Sequence, residues 1–187
     1  MTRHTAFFLY VIGVSTLGTA ICGSQSPQKP LHSGDVFPPL TAQALTGKML
    51  ELPAMTAEQP VVVVFSFSRT AGKDAQAWTE HLSKDSAHVQ IYTIIVLESV
   101  PRLFRGAALS GIKSGMPSSA QDHTVVLYKD ETLWKQRLAV SDGDRAYLFV
   151  LGPDGHIRWT NSSAFADAPC ERLRATVRML EQDQLRR

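Results

Sequence analysis

The sequence predicts one α/β domain, and three features of the chain carry this prediction. The run Pro60–Phe67 (PVVVVFSF) is continuously apolar and rich in β-branched residues, as expected of a strand covered on both faces in a parallel sheet. The stretch that follows it is amphipathic with the period of an α-helix. Near the C-terminal end, Gly152–Gly155 (GPDG) places turn residues between two apolar runs, which predicts a hairpin. Together these elements indicate a central mixed β-sheet flanked by helices.

Composition and charge exclude several classes of function. Of 187 residues, 44% are hydrophobic and 19% are charged, which suits one domain with an extension rather than a disordered chain. The formal net charge is +2, from 19 basic and 17 acidic residues, which is too balanced for nucleic-acid binding. Two cysteines, Cys22 and Cys170, make neither a disulfide framework nor the usual zinc site, and the histidines show no metal-ligand spacing. We therefore expect no nucleic acid, metal or cofactor.

The N-terminal segment predicts export. A short basic start is followed by the uncharged stretch 5–21, so residues 1–22 are interpreted as a signal peptide or an N-terminal membrane anchor. Ala20–Cys22 fits a small-x-small cleavage site, whereas Ile21 is too bulky for a good lipoprotein site. Residues 23–33 form a polar linker and residues 34–183 the domain. We expect a periplasmic protein, or one tethered through residues 5–21 and facing outside the cytoplasm.

The first half of the domain contains a hairpin, a strand, a helix and a second strand. Residues 37–52 predict an N-terminal hairpin, because Thr46–Lys48 is a turn between two short extended segments. After the central strand comes a helix capped by Ser68 or Thr70, and residues 89–97 (VQIYTIIVL) return as a second buried strand. The apolar stripe of this helix consists of Ala71, Ala75, Trp78 and Leu82.

The second half inserts a helix and a strand before the closing hairpin. Residues 101–116 predict a helix whose apolar side is formed by Leu103, Phe104, Ala107, Ala108 and Ile112. A short strand at 124–128, two helical turns at 131–138 and the hairpin strands 147–151 and 156–160 follow. Asp167 is predicted to cap the last helix. That helix buries Cys170, Leu173, Val177 and Leu180 and turns Arg172, Arg174 and Arg178 outward.

Motifs at both ends of the domain carry a resemblance to a known family. Gly34-Asp35-x-x-Pro38 and the turn Leu45–Lys48 open the domain, and Gly152–Ile157 (GPDGHI) closes it. With the order of elements, these motifs resemble the thioredoxin-like superfamily in its TlpA and peroxiredoxin, or redoxin, variety, over residues 33–181. The resemblance implies a thioredoxin-like fold, with the functional site where the first helix of the domain begins.

The catalytic cysteines of that superfamily are absent here. Thioredoxins place Cys-x-x-Cys at this helix start, where the helix dipole stabilises a thiolate. In this chain Phe67–Lys73 (FSRTAGK) has no cysteine, and Asp144–Ala146 stands where the fold commonly has a proline. We predict no catalytic residue and interpret the position as a binding loop, with a neighbouring loop that contributes Asp144 and Arg145. The residues of the predicted binding loop are Ser68, Arg69, Thr70 and Lys73.

A narrower resemblance rests on the closing strand. Tyr147–Val150 (YLFV), Gly155–Trp159 (GHIRW) and Phe65–Ser68 (FSFS) resemble the mitochondrial assembly factor family that chaperones the membrane-embedded a subunit of ATP synthase and has a redoxin-like body. The resemblance implies a protein partner, either a membrane protein or an exported one. Arg158 and Trp159 form a possible partner edge, since Arg and Trp are favoured interface anchors. Packing of Trp159 into the domain is the alternative.

Two functions follow from these patterns. The first is an exported, redox-inactive binding or assembly module, chaperone-like and not an enzyme. The second is an accessory thiol-disulfide oxidoreductase or antioxidant protein that uses Cys170 or a cysteine of its partner. At the predicted loop, Arg69, Thr70 and Lys73 either bind an anion at the helix start or form an ordinary capped turn.

Overall fold

A computed structural model describes residues 29–57, 59–85 and 89–186 and places them in two sheets and five helices. The strands are β1 (Leu40–Gln43), β2 (Met49–Leu52), β3 (Val61–Ser66), β4 (Gln90–Val96), β5 (Thr124–Leu127), β6 (Tyr147–Leu151) and β7 (Ile157–Asn161). The helices are α1 (Arg69–Asp85), α2 (Arg102–Ser114), α3 (Ser118–Gln121), α4 (Glu131–Arg137) and α5 (Asp167–Leu185). A 3-10 turn, Ala54–Ala57, follows β2.

The central sheet is mixed, as the sequence predicts. Its strand order is β5-β4-β3-β6-β7, with β3 parallel to β4, β4 parallel to β5, and β6 antiparallel to both β3 and β7. Every residue of β3 is buried, because this strand lies at the centre of the sheet. β1 and β2 form the predicted N-terminal hairpin as a separate two-stranded sheet. The thioredoxin-like fold class is confirmed.

Alternation along β3 divides the apolar residues between two cores. Val61, Val63 and Phe65 pack in one cluster with residues of the N-terminal hairpin and of α4, where the rings of Phe65 and Trp134 lie 5.0 Å apart. Val62 and Val64 pack in the other with residues of α1 and α5. The stripes predicted for α1 and α5 are buried, and all their residues except Ala71 belong to this second cluster.

The start of the described chain packs on the domain. The N–H of Leu31 donates to the carbonyl of Arg137 at 2.7 Å, and Ser33 Oγ donates to the carbonyl of Arg158 at 3.0 Å. The predicted signal or anchor segment 1–22, including Cys22, lies outside the described residues. Among the residues that are described, no helix has the length and hydrophobicity needed to cross a membrane.

Two expectations about α5 were wrong. The helix begins at Asp167 itself, with Ala166 as its N-cap and no side-chain capping bond, so Asp167 lies in the first turn. Arg174 does not turn outward, because its side chain is only 11% exposed and its Nη2 donates to the carbonyl of His81 on α1 at 2.6 Å. Arg172 and Arg178 are exposed, as predicted. The guanidinium of Arg174 thus links the two helices that cover the second core.

The inserted helix departs most from expectation. α2 forms where the sequence predicts it, but none of its residues is buried, and Leu103 and Phe104 are 86% and 58% exposed. Of its predicted apolar side, Ala108 and Ile112 are half-buried and the other three residues are exposed. As a consequence β4 is fully buried on one face only, since Ile91, Thr93 and Ile95 on the other face are half-buried. The prediction of a second buried strand therefore holds for one face of β4 only.

Candidate functional site

Ser68 holds the junction between β3 and α1. Its Oγ accepts a hydrogen bond from the N–H of Ala71 at 3.0 Å, and its carbonyl accepts one from Gly72 at 2.9 Å. This is N-cap geometry, in which a serine satisfies one of the amides that a helix start leaves without a partner. Of the two candidate caps in the sequence, Ser68 is the one that acts, and Thr70 is exposed within the first turn.

The same hydroxyl joins the two predicted loops. Ser68 Oγ donates to Asp144 Oδ1 at 2.7 Å, so the helix start and the loop before β6 are directly bonded. In that loop, the Asp144 N–H donates to Asp142 Oδ1 at 2.9 Å and Arg145 Nε donates to Asp142 Oδ2 at 3.1 Å. The Asp144 amide, followed by the Arg145 guanidinium, holds the pKa of Asp142 below its ordinary value. Ser68, Asp144 and Arg145 therefore belong to one surface.

Two residues that the sequence analysis did not select fix this surface. The Asp74 carboxylate on α1 accepts the Ala146 N–H on Oδ2 and the Phe165 N–H on Oδ1, both at 3.0 Å. Tyr147 Oη accepts the amides of Ser141 and Asp142 at 3.0 and 3.1 Å. No local pattern marks Asp74, because its partners lie 72 and 91 residues away along the chain. Both side chains act as acceptors for loop amides.

Arg69, Thr70 and Lys73 are exposed on the first turn of α1. Within the described ranges Arg69 and Lys73 make no ion pair. Together with Ser68, Asp144 and Arg145 these residues form what we call the helix-start surface. This surface combines two exposed cations with a loop held by hydrogen bonds.

The helix-start surface borders a groove. The groove has a volume of about 1400 Å³ and lies between α1, β4 and α2, with Ser68, Arg69 and Lys73 among its lining residues. These three residues lie beyond the carboxyl end of β3, so they mark one end of the groove. The groove exists because α2 does not close over β4.

Arg158 and Trp159 are not part of this surface. The start of β7 pairs with Leu151, which in turn pairs with Val61 at the opposite end of β3 from Ser68. Arg158 is exposed and forms an ion pair with Asp154. Trp159 is half-buried and packs on Trp78, with ring centroids 6.5 Å apart. The Trp159 ring therefore packs on the domain, as the alternative interpretation of this residue expects. A partner-binding edge at Arg158 and Trp159 stays a prediction.

Cys170 lies inside the second core. It is 2% exposed and packs in the cluster with Leu173 and Val177. A thiol in this position is shielded from a dissolved disulfide. In the part of the chain that the structure describes, no three His, Cys, Asp or Glu side chains are grouped as a metal ion would require.

Comparison with known protein families assigns this chain to a family. Residues 30–180 match the family described as ATP10 protein, which is most of the chain. This chain belongs to the ATP10 family. No curated protein matches it closely enough to be reported as a relative. As an ATP10 family member the chain is an assembly module with a redoxin-like body.

Solved structures similar to this ATP10 family member share its thioredoxin-like fold. The thioredoxin domain of a thiol-disulfide oxidoreductase from Bacteroides vulgatus is 17% identical, with 79% of this chain and 99% of that chain covered and a TM-score of 0.57. BsSco, of the Sco family of cytochrome c oxidase assembly proteins, is 13% identical, with coverage of 83% and 97% and a TM-score of 0.55. A peroxiredoxin-like protein from Aquifex aeolicus is 9% identical, with coverage of 81% and 91% and a TM-score of 0.53. At these identities the likeness concerns the fold.

Proposed function

We propose that this ATP10 family member is an exported, redox-inactive assembly module that binds a membrane or exported protein through its helix-start surface. The observation that carries the proposal is the hydrogen bond between Ser68 and Asp144. It builds a fixed polar junction at the position where thioredoxins carry Cys-x-x-Cys. A binding surface needs such order, whereas dithiol exchange needs two thiols that this segment lacks.

The lack of cysteine at the helix start and the burial of Cys170 support a redox-inactive role. Phe67–Lys73 contains no cysteine, and Cys170 is buried in the second core. A thiol-disulfide relay requires an accessible thiolate to attack the partner's sulfur. The accessory oxidoreductase alternative therefore has no described residue in position to perform that attack.

Export is supported by the N-terminal sequence. Residues 5–21 carry no charge after a short basic start, and the Ser- and Pro-containing stretch after Cys22 suits a linker between a membrane segment and a domain. In this proposal the domain faces the periplasm or stays tethered outside the cytoplasm. Its partner is a protein of the same compartment, and BsSco, a fold relative from a family of assembly proteins, illustrates this use of the scaffold.

Site-specific photo-crosslinking in the native host tests the proposed function. A photo-reactive amino acid replaces Arg69, Lys73 or Arg158 in the tagged full chain, and the matched control replaces Arg178, an exposed arginine on α5. We expect Arg69 and Lys73 to give the same adduct with one membrane or exported protein, and Arg178 to give none. An adduct from Arg158 would extend the contact to the predicted edge.

Two results would overturn the proposal. The same adducts from Arg69, Lys73 and Arg178 would show that the helix-start surface has no special role. Adducts confined to thiol oxidoreductases would favour the accessory redox function instead. N-terminal sequencing of the protein recovered from the host tests export separately, since a mature chain that begins near Gly23 indicates cleavage of a signal peptide.

A further inference from the structure

The groove between α1, β4 and α2 has an apolar floor and walls of small residues. Ile91 and Ile95 of β4 form the floor with Thr93 between them. Ala75 of α1 and Ala108 of α2 line the two walls. Side chains of this size leave room for another backbone to approach both helices closely.

Two glycines in the walls have open space where a side chain would lie. Gly72 of α1 and Gly111 of α2 line the groove, and a Cβ added to either would meet no atom within 4 Å. Neither has a positive φ, so an alanine would fit the backbone at both positions. Glycine inside a helix is less favourable than alanine by roughly 1 kcal/mol. The missing side chains therefore leave open space in the groove at a cost to both helices.

A residue with a buried hydroxyl borders the same space. Ser66 at the end of β3 is 0% exposed and lines the groove, yet its Oγ has no hydrogen-bond partner among the described residues. A buried polar group without a partner is unfavourable, and most such groups in folded proteins are paired. A ligand that brings one polar group into the groove would supply the partner that Ser66 lacks.

The charges of the groove are polarised along α1. Arg69 and Lys73 line it at the start of α1, and Glu80 lines it about two turns farther along. The carboxyl end of an α-helix carries a partial negative charge, and its amino end a partial positive charge. A helix that lies antiparallel to α1 would therefore place its negative end beside Arg69 and Lys73.

We propose that the groove binds one apolar α-helix of the protein partner, packed between α1 and α2 with its carboxyl end beside Arg69 and Lys73. The volume of about 1400 Å³ exceeds the roughly 300–1,000 Å³ typical of small-molecule pockets, which favours a polypeptide segment. The helix buries its apolar face on Ile91 and Ile95 and approaches closely at Gly72 and Gly111. This inference rests on the proposed function, because it names the part of the partner that is bound.

A helical probe peptide tests the groove directly. The probe is about five turns long, with Leu, Ala and one Ser on one face, a photo-reactive leucine analogue at its centre and Glu in its last turn. It is irradiated with the purified full chain held in lipid nanodiscs, and the adducts are mapped by mass spectrometry. We expect saturable adducts on residues that line the groove, and a weaker yield for the same peptide with Lys in its last turn.

Leucine substitutions provide matched variants. Gly111→Leu fills the groove, whereas Gly106→Leu places the same side chain on α2 in open space that does not line the groove. We expect Gly111→Leu to reduce adduct yield about tenfold, which corresponds to roughly 1.4 kcal/mol, and Gly106→Leu to leave it unchanged. Both variants should melt no lower than the parent chain, because leucine favours the helix over glycine.

Three outcomes contradict the groove proposal. They are adducts outside the groove, equal adduct yields for Gly111→Leu and Gly106→Leu, and no preference between Glu and Lys in the last turn of the probe. Host crosslinks from Arg69 that persist unchanged in Gly111→Leu would overturn the groove while leaving the proposed function in place. Loss of those crosslinks in Gly111→Leu but not in Gly106→Leu supports both.

Discussion

The Ser68 hydroxyl lies 2.7 Å from Asp144 Oδ1 and at the same time accepts the Ala71 amide at 3.0 Å, so one side chain both caps α1 and fixes the loop before β6. In thioredoxins the corresponding helix start presents a nucleophilic sulfur to solvent. Here the hydroxyl is fully engaged within the protein. The connection between the helix start and the loop before β6 therefore depends on the Ser68 hydroxyl.

Removal of the Ser68 hydroxyl should reduce stability measurably. We expect Ser68→Ala to lower the free energy of unfolding by about 1 kcal/mol, because it removes both an N-cap and the bond to Asp144. Thr70→Ala, at an exposed position two residues on, is the control and should stay within about 0.5 kcal/mol. Urea denaturation followed by tryptophan fluorescence measures both. Equal effects of the two substitutions would contradict the capping role.

The Asp74 carboxylate should matter more than any other side chain near the site. Asp74→Ala leaves the part-buried amides of Ala146 and Phe165 without an acceptor, and we expect it to lower the free energy of unfolding by about 2 kcal/mol. Asp74→Asn retains one acceptor oxygen and should cost about half as much. Lys73→Ala, on the neighbouring exposed position, is the control and should have little effect. A loss below about 0.5 kcal/mol for Asp74→Ala would show that water replaces the carboxylate.

The architecture was predictable from sequence because its signals are local. The β-branched run of β3, the stripe of α1 and the turn at Gly152–Gly155 each involve neighbouring residues, and each predicts its element correctly. The capping role of Ser68 was predictable in the same way, because a serine just before an amphipathic run indicates a helix start. The role of Asp74 was not predictable, because the amides that it binds are brought near it only by the complete fold.

The two errors about burial share one physical cause. Periodicity indicates which side of a helix is apolar, but it does not show whether another element covers that side. The pattern of α2 therefore predicted burial that Leu103 and Phe104 do not have. Arg174 is the opposite case. The sequence predicts that its charge faces water, but its guanidinium donates to the His81 carbonyl and lies inward.

Protonation of Asp142 at low pH should weaken the hydrogen bonds of the loop before β6. The Asp144 amide and Arg145 hold the pKa of Asp142 below its ordinary value of about 3.9. A carboxyl whose folded pKa is lowered stabilises the fold above the unfolded pKa, and this contribution is lost as the pH falls through the folded pKa. We expect the NMR shift of the Asp142 carboxyl carbon to titrate with a midpoint below 3.9. Arg145→Ala should move the midpoint upward, and a midpoint at or above the ordinary value in the parent chain would contradict the bonds described for this loop.

Thiol chemistry should be absent from the purified protein. For protein purified without residues 1–22, and therefore without Cys22, we expect no reduction of insulin disulfides and no thiol-dependent consumption of peroxide, because the helix start has no sulfur and Cys170 is 2% exposed. Mass spectrometry after brief alkylation should find Cys170 unmodified in the native protein and modified after denaturation. Turnover that disappears in Cys170→Ser would restore the accessory oxidoreductase function.

Substitution of Ser66 should have opposite effects on the stability of the protein and on its binding of the helical probe. Its buried hydroxyl lacks a partner among the residues that the structure describes, so Ser66→Ala should leave the free energy of unfolding unchanged or raise it by up to about 1 kcal/mol. Ser68→Ala is the matched comparison, since the same substitution two residues later removes a hydroxyl with two partners and should destabilise the protein. The helical probe should respond in the opposite sense and bind Ser66→Ala less tightly, because the probe supplies the missing hydrogen bond. A destabilisation of more than about 1 kcal/mol by Ser66→Ala would mean that the hydroxyl is already satisfied in the unliganded protein, and it would remove Ser66 from the argument for the groove.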